Sequence, residues 1–246
     1  MKRRATIVRV ISDYRKTTDK VFLNKNTTMA KNYYLPLEAG KAYHIYNRGV
    51  NGTSIFKSDE NYKHFLKLYD EHCSCIVDTY AYCLLGNHFH FLVRIKEILP
   101  TYGDLYPKFS QDKVNKKATK TVEPSRQFSH FFNAYAQGFN KYLRPIRTGT
   151  LFQRPFKRIE VDNASYFSNL VSYIHKNPKK HKFEEDYKIY PYSSYNSHLS
   201  DKTTRLDRKE VLEWFGNKEE YTLFHNEEID EGLIENWIIE DDDDFL

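Results

Sequence analysis

The sequence contains two histidines separated by a single residue, His88 and His90. In a β-strand, residues i and i+2 project from the same face, so the two imidazoles would lie side by side while Phe89 and Phe91 enter the core. Such a pair suits the capture of one metal ion, and we expect it to be solvated. Taken alone, however, the pattern is more often two half-exposed histidines that make ordinary hydrogen bonds.

A second pair, Tyr173 and Asn177, is spaced by four residues. On a helix this spacing places both side chains on one face, so the phenol and the amide oxygen can approach the same point. A tyrosine near a helix end is usually a packing residue with a hydrated hydroxyl. This pair therefore also indicates chemistry only in combination with other features.

The predicted secondary structure places each pair on a regular element. Alternating runs rich in aromatic and β-branched residues predict strands, and Gly86-Asn87 predicts a hairpin turn between two of them. Apolar residues at helical spacing predict helices, and the one that carries Tyr173 should begin after Asp162 or Asn163 and end at Pro178. Strands are predicted at Ala42–Arg48, 76–85, His88–Ile95 and 156–161, and helices from Asp59, over 127–143, from Asp162 or Asn163, and twice within 207–226. This order favours an α+β fold with an antiparallel or mixed sheet.

Charge is distributed unevenly along the 246 residues. Residues 201–246 carry 16 acidic and 5 basic side chains, whereas the first 200 residues carry 33 basic and 17 acidic ones. A basic body is typical of nucleic-acid binding, because Lys and Arg neutralise phosphates, although a solvated basic surface has the same composition. Aromatic residues make up 16% of the chain. They would serve either core packing or stacking on unpaired bases.

Cysteine usage and hydropathy point to the cytoplasm. The chain has three cysteines, Cys73, Cys75 and Cys83, and an odd, low number favours free thiols in a reducing compartment. The sequence has no apolar run of the ~20 residues that a membrane span needs, and its basic start does not resemble a secretory signal. Cys83 could share a face with His90, so a zinc site of His88, His90 and Cys83 is an alternative.

Four segments together resemble a known family. They are YHIYNRGVNGTSIF, AYCLLGNHFHFLV, GTLFQRPFKRIEV and YIHKNPKKH, which occur in this order over about residues 40–195. In this combination they are similar to the signature blocks of the His-hydrophobic-His (HUH) single-tyrosine transposases, and above all to the REP-associated tyrosine transposase branch. The combination is specific, whereas the histidine pair alone is not.

The resemblance implies a fold, a site and a reaction. The fold would be an antiparallel sheet with an RRM-like or ferredoxin-like core and helices packed on its faces. His88 and His90 would bind a divalent ion, Mg²⁺ or Mn²⁺, and Asn177 would supply a third ligand, although many relatives have glutamine there. Tyr173 would be the nucleophile that cleaves and rejoins single-stranded DNA through a 5′-phosphotyrosine link. Two imidazoles favour Mn²⁺ over Mg²⁺ because nitrogen is a softer ligand than oxygen.

Basic and amide side chains near these blocks are candidates for contacts with DNA. Asn47 and Arg48 end the first strand and could read a base or a phosphate. A phosphate-binding rim is expected from the other residues, Arg154, Lys157, Arg158, Lys176, Lys179 and Lys180. Otherwise these residues form a solvated basic face. The partner would be single-stranded DNA with or without a hairpin, and the protein could be a monomer or a homodimer.

The organisation expected along the chain has three parts. Residues 1–38 are predicted to be a flexible leader, 39–200 the catalytic domain with a long basic loop at 98–126, and 201–246 an acidic helical extension and tail. Two other functions stay open at this stage. One is a domesticated nucleic-acid-binding protein without catalysis, and the other is a zinc-dependent phosphoesterase.

Overall fold

The computed structural model describes residues 35–106, 118–163 and 166–235. Its four strands are β1 (Ala42–Arg48), β2 (Val77–Leu84), β3 (His88–Ile95) and β4 (Lys157–Val161). The helices of these ranges are α1 (Asp59–Cys73), α2 (Tyr102–Leu105), α3 (Pro124–Tyr142), α4 (Phe167–Lys180), α5 (Tyr195–Leu199), α6 (Arg208–Phe215) and α7 (Lys218–Asn226). The predicted leader lies outside the described residues up to position 34, as does the tail from position 236.

The strands form one antiparallel sheet in the order β2-β3-β1-β4. Read along the chain, β1-α1-β2-β3-α3-β4 is the ferredoxin-like arrangement of a split βαβ unit. The α+β class and the ferredoxin-like core predicted from the sequence are confirmed. Because β1 and β3 are adjacent central strands, the residues after the hairpin lie directly opposite the end of β1, where Arg48 pairs with His88.

Helices α1 and α3 cover one face of the sheet with an aromatic core. Phe65 of α1 and Tyr135 of α3 are fully buried and pack edge to face with ring centroids 4.9 Å apart. The strands contribute Phe89 and Phe91, which are also buried, as the alternation predicted. Much of the aromatic content therefore serves packing on this face, where rings bury large areas and prefer tilted contacts.

Helix α4 covers the opposite face together with the C-terminal helices. Its Leu170 and Ile174 are buried in a second core that also contains Tyr80 and Cys83 of β2. Val211 of α6 and Tyr221 of α7 belong to the same core. Helices α6 and α7 thus pack in the same core as α4, on the face of the sheet that carries the histidine pair.

The bounds of α4 differ from the prediction at both ends. The helix begins with Tyr166 as its N-cap, after a turn in which the Tyr166 amide donates to the Asn163 carbonyl at 3.1 Å, and not directly at Asp162 or Asn163. It also continues through Pro178 to Lys180. Proline removes one N–H from the ladder, but the last turn is retained because the His181 amide still donates to the Asn177 carbonyl at 2.9 Å.

The other predicted elements are confirmed with shifted bounds. Two helices within 207–226 are divided at Gly216, whose φ is 102°, a conformation that glycine adopts without strain. Helix α3 begins at Pro124, inside the segment predicted as a loop, because proline suits the first helical turn. The short helix α2 also lies in that segment, whereas 107–117 lie outside the described residues. Each helix in the described ranges is too short or too polar to cross a bilayer.

Two buried histidines of the C-terminal helices should make the stability of the fold sensitive to acid. Burial lowers the pKa of His198 to about 4 and that of His225 to about 3. Above pH ~6.5 both the folded and the unfolded states carry neutral imidazoles, so there is no pH effect. Below it, the unfolded chain binds protons that the folded chain does not, so stability falls with falling pH.

We therefore expect each of these histidines to lower the free energy of unfolding by about 2 kcal/mol at pH 5 relative to pH 7.5. Urea unfolding at both pH values measures the difference. Between pH 7.5 and pH 5, the free energy of unfolding of His198→Phe should fall by about 2 kcal/mol less than that of the unchanged protein. An unchanged pH dependence in this variant would contradict the assignment.

Candidate metal and tyrosine site

His88 and His90 lie on β3 and point toward α4, opposite Arg48 and Tyr46 of β1. Their side chains are 3% and 1% exposed. The expectation of a solvated pair is therefore wrong. Strand alternation predicted the face correctly, but α4 and the segment that follows it cover that face, and they lie some 80 residues further along the chain.

Hydrogen bonds hold both imidazoles by their Nδ1 atoms. Nδ1 of His88 lies 2.7 Å from Oδ1 of Asn87, and Nδ1 of His90 lies 3.0 Å from Nε2 of His44. An amide oxygen can only accept, so His88 donates from Nδ1 and keeps the lone pair on Nε2. Nε2 of His90 is buried and has no hydrogen-bond partner among the described residues. A metal ion would supply the partner that this nitrogen lacks.

Both histidines are held in the neutral form. Burial lowers the pKa of His88 well below its ordinary range, and His181 and Arg48 lower it further. Burial also lowers the pKa of His90 well below its ordinary range, and the neighbouring His44 and His88 add to the effect. Neutral imidazoles have a free lone pair near pH 7, which is the form that binds metal ions.

A third histidine, His181, completes the cluster. Among the described residues, His88, His90 and His181 form a group whose ligand atoms all lie within 4.8 Å of one another. Two nitrogens each ~2.1 Å from one ion are at most ~4.2 Å apart, so a small contraction brings the three atoms onto one ion. His181 was not predicted as a ligand, although it follows Tyr173 and Asn177 at a spacing of four residues.

Asn177 fits the predicted role of an amide ligand. Its side chain is fully buried on α4. Nδ2 donates to the Tyr173 carbonyl at 2.9 Å, whereas Oδ1 has no hydrogen-bond partner among the described residues. A buried carbonyl oxygen without a donor is costly unless something binds it. Asn177 as a ligand stays a prediction, and His181 is a ligand candidate beside it.

Tyr173 lies against the same cluster. Its ring contacts His90 edge to face with centroids 6.2 Å apart, and His44 in the same manner at 6.5 Å. The side chain is 2% exposed. Nζ of Lys180 stands 5.0 Å from the centre of the tyrosine ring. The structure thus places Tyr173 beside the histidine pair between β3 and α4, and Asn177 lies on the same helix.

The alternative zinc site with Cys83 is less well supported. Cys83 pairs with His90 across β2 and β3, so it does share the face. Burial, however, raises the pKa of the Cys83 thiol well above its ordinary value. Sγ of Cys83 is also absent from the group of ligand atoms within 4.8 Å of one another that is found among the described residues. The histidine cluster found among the described residues contains His181 in its place.

The predicted DNA-binding residues fall into three groups. Arg48 and Lys157 lie on the face of the histidine pair, where Nζ of Lys157 is 5.6 Å from the centre of the Tyr46 ring. Asn47, Arg154 and Arg158 instead line a groove of about 800 Å³ beside α3, on the other face. Among the described residues that line this groove, none is acidic.

The third group consists of the α4 lysines in a cleft of about 590 Å³ that Tyr173 also lines. Nζ of Lys176 donates to the Glu227 carbonyl, and Lys180 forms an ion pair with Glu231 at 2.7 Å. Lys179 is exposed at the same cleft. A phosphate that bound in this cleft would replace the contacts that Lys176 and Lys180 make with residues after α7.

Comparison with known proteins supports the resemblance found in the sequence. No family model matches the chain. A protein of Haemophilus influenzae (strain Rd) described as a REP-associated tyrosine transposase is 29% identical over 119 residues. The match covers 48% of this chain and 59% of that protein, so the chain spans about three fifths of the relative's length. The chain is thus similar to REP-associated tyrosine transposases.

Two solved structures match the chain at low similarity. One is a REP-associated tyrosine transposase bound to a REP hairpin, with 17% identity, a TM-score of 0.44, and coverage of 71% of this chain and 87% of that chain. The other is a bacterial tRNA(His) guanylyltransferase-like protein in complex with GTP, with 11% identity, a TM-score of 0.37, and coverage of 74% and 77%.

Proposed function

We propose that this protein is a metal-dependent endonuclease and strand transferase that acts on single-stranded DNA, as a transposase-like enzyme of the HUH type. The observation that carries the proposal is the position of Tyr173, whose ring lies 6.2 Å from that of His90 in a site with two further candidate ligands. The similarity to a REP-associated tyrosine transposase supports the same conclusion.

The donor set fits a divalent ion. His88, His90 and His181 would hold it through imidazole nitrogens and Asn177 through Oδ1, and the two buried atoms without partners, Nε2 of His90 and Oδ1 of Asn177, support this assignment. When bound, the ion supplies Lewis-acid stabilisation of charge on the scissile phosphate. A nitrogen-rich set favours Mn²⁺ over Mg²⁺.

The reaction assigned to the chain's own residues is an exchange of phosphodiesters. Oη of Tyr173 forms a bond to phosphorus, the bond from phosphorus to the 3′ oxygen breaks, and the 3′ oxygen leaves as a hydroxyl after taking up a proton. The phenol gives up its own proton. The DNA end is held as a 5′-phosphotyrosine, so a second 3′ hydroxyl can attack it and rejoin the strand without ATP.

Neighbouring cations would position the strand for this attack. Lys180 stands beside the Tyr173 ring, and Arg48 and Lys157 lie on the same face of the sheet as the histidines. Positive side chains on both sides of the site suit a phosphate on each side of the scissile bond.

Formation of a covalent adduct tests the proposal. The protein is incubated with Mn²⁺ and a single-stranded oligonucleotide from the flanks of its own gene, labelled at either end, and the products are separated after denaturation. A 3′ label should migrate with the protein and a 5′ label should be released on a shorter strand. Neither a DNA-binding protein without catalysis nor a zinc-dependent hydrolase gives a protein-linked label, so its absence under these conditions would favour those alternatives.

Lys157→Gln is expected to weaken binding of single-stranded DNA about 3–10-fold at low salt and to lower the salt dependence of binding by roughly one phosphate contact. The substitution removes a charge from the face of the histidine pair and leaves the strand intact. Fluorescence anisotropy at two salt concentrations measures both effects. Lys209→Gln is the matched control, because Lys209 is 88% exposed on α6. If the two variants bind single-stranded DNA with equal affinity, Lys157 is not part of the DNA-binding surface.

A further inference from the structure

His44 of β1 is fully buried and lies in contact with both groups of the proposed site. Its Nε2 is 3.0 Å from Nδ1 of His90, and the two rings stack with centroids 5.2 Å apart and planes inclined by 25°. On its other side, the ring meets Tyr173 edge to face at 6.5 Å. His44 therefore lies next to a candidate metal ligand and next to the candidate nucleophile, without being either.

Only one direction of the hydrogen bond between His44 and His90 leaves Nε2 of His90 able to bind a metal ion. A neutral imidazole carries a single proton, on one of its two nitrogens. For Nε2 of His90 to offer a lone pair, Nδ1 of His90 must carry the proton and donate it to Nε2 of His44. His44 must then be the acceptor and carry its own proton on Nδ1. The opposite direction would put a proton on Nε2 of His90, where it blocks a metal ion.

The surroundings of His90 leave its tautomer to be set by His44. Nε2 of His90 has no protein partner among the described residues, so nothing opposite it selects the tautomer. Within the described residues, the hydrogen-bond partner of the His90 ring is His44, through Nδ1 of His90. Partners of this kind orient ligating histidines and typically change metal affinity 10–100-fold when removed.

We propose that His44 is a positioning residue that fixes His90 in the Nδ1-protonated tautomer and so presents Nε2 to the metal ion. This inference rests on the metal site of the proposed function and adds a residue outside the histidine pair and α4. His44 also makes a second contact, in which its ring packs edge to face with the ring of Tyr173 beside the ligand. Loss of the acceptor nitrogen of His44 should therefore weaken metal binding more than it affects the position of the DNA strand.

Two substitutions separate hydrogen bonding from packing. His44→Phe keeps a ring of similar size and removes the acceptor, whereas His44→Gln can place Oε1 near the position of Nε2 and accept from His90. We expect the Kd for Mn²⁺, measured by calorimetry on the whole chain, to rise 10–100-fold in His44→Phe. In His44→Gln it should stay within about fivefold of the unchanged protein.

The tautomer itself is observable without metal or DNA. Long-range ¹H–¹⁵N correlation spectra of the metal-free protein should show His90 protonated at Nδ1 in the unchanged chain and in His44→Gln. His44→Phe should show a mixture or the Nε2-protonated form. His198→Phe, which replaces another buried histidine far from the pair in sequence, is the control for loss of stability and should change neither readout.

The outcomes distinguish this inference from the proposed function. If His44→Phe binds Mn²⁺ as tightly as the unchanged protein and retains the tautomer, while His88→Ala loses binding, the role of His44 is refuted and the metal site stands. If binding is the same in the unchanged protein, His88→Ala and His44→Phe, the metal site itself is refuted. If His44→Gln fails as fully as His44→Phe while both remain folded, the role of the acceptor is refuted.

Discussion

Tyr173→Phe is expected to lower formation of the covalent protein–DNA adduct by at least on the order of 10⁴-fold, while DNA affinity changes less than about twofold. The substitution removes only the hydroxyl oxygen that would attack phosphorus. The ring can still pack edge to face against His90 and His44. Transfer of a 3′ label to the denatured protein measures the reaction, and anisotropy with the same oligonucleotide measures binding.

Two other tyrosines serve as controls for this prediction. Tyr142 ends α3 and is 51% exposed, whereas Tyr166 caps α4 and is 6% exposed. Tyr142→Phe and Tyr166→Phe should both form the adduct at near the normal rate. If the adduct persists in Tyr173→Phe and disappears in one of the other two variants, the nucleophile is misassigned.

His88→Ala and His90→Ala should each lower DNA cleavage by about 10³-fold or more and weaken Mn²⁺ binding by at least about 10-fold. Both side chains are buried, so each substitution also leaves a cavity, and a loss of about 2 kcal/mol in the free energy of unfolding is expected. Calorimetric titration of the metal is therefore carried out at a temperature at which urea unfolding shows that each variant is folded.

The control for this pair is His72→Ala, because His72 is half-buried in the last turn of α1, on the other face of the sheet. It should bind metal and cleave DNA normally. Full metal affinity in both His88→Ala and His90→Ala would mean that the cluster is a set of packed histidines. The reaction would then need another source of charge stabilisation at the phosphate.

The order of the elements could be predicted from the sequence because it depends on local patterns. Period-two alternation predicted which face of β3 carries the histidines, and Gly86-Asn87 predicted the hairpin between β2 and β3. In the structure β3 also pairs with β1 at the centre of the sheet. The burial of the site could not be predicted in this way. The helix that covers the pair lies far along the chain, and strand periodicity says nothing about what packs on a face.

His181 was missed for a related reason. Proline at 178 normally ends a helix, so the spacing of four from Tyr173 to Asn177 was not extended to the next turn. In the structure α4 continues to Lys180, and His181 is its C-cap. His44 was missed although strand alternation places it on the same face as Tyr46 and Arg48, because only the contact with His90 at 3.0 Å gives it a role.

The most direct measurement of the central claim is the site of the covalent bond. After the reaction with Mn²⁺, the adduct is treated with nuclease and trypsin, and the modified peptide is sequenced by mass spectrometry. Cleavage after Arg158 and Lys176 gives the peptide 159–176, which contains both Tyr166 and Tyr173. We expect the remaining phosphonucleotide to be on Tyr173 alone. A nucleotide on Tyr166 or on another peptide, or a released strand without any modified peptide, would contradict the proposed mechanism.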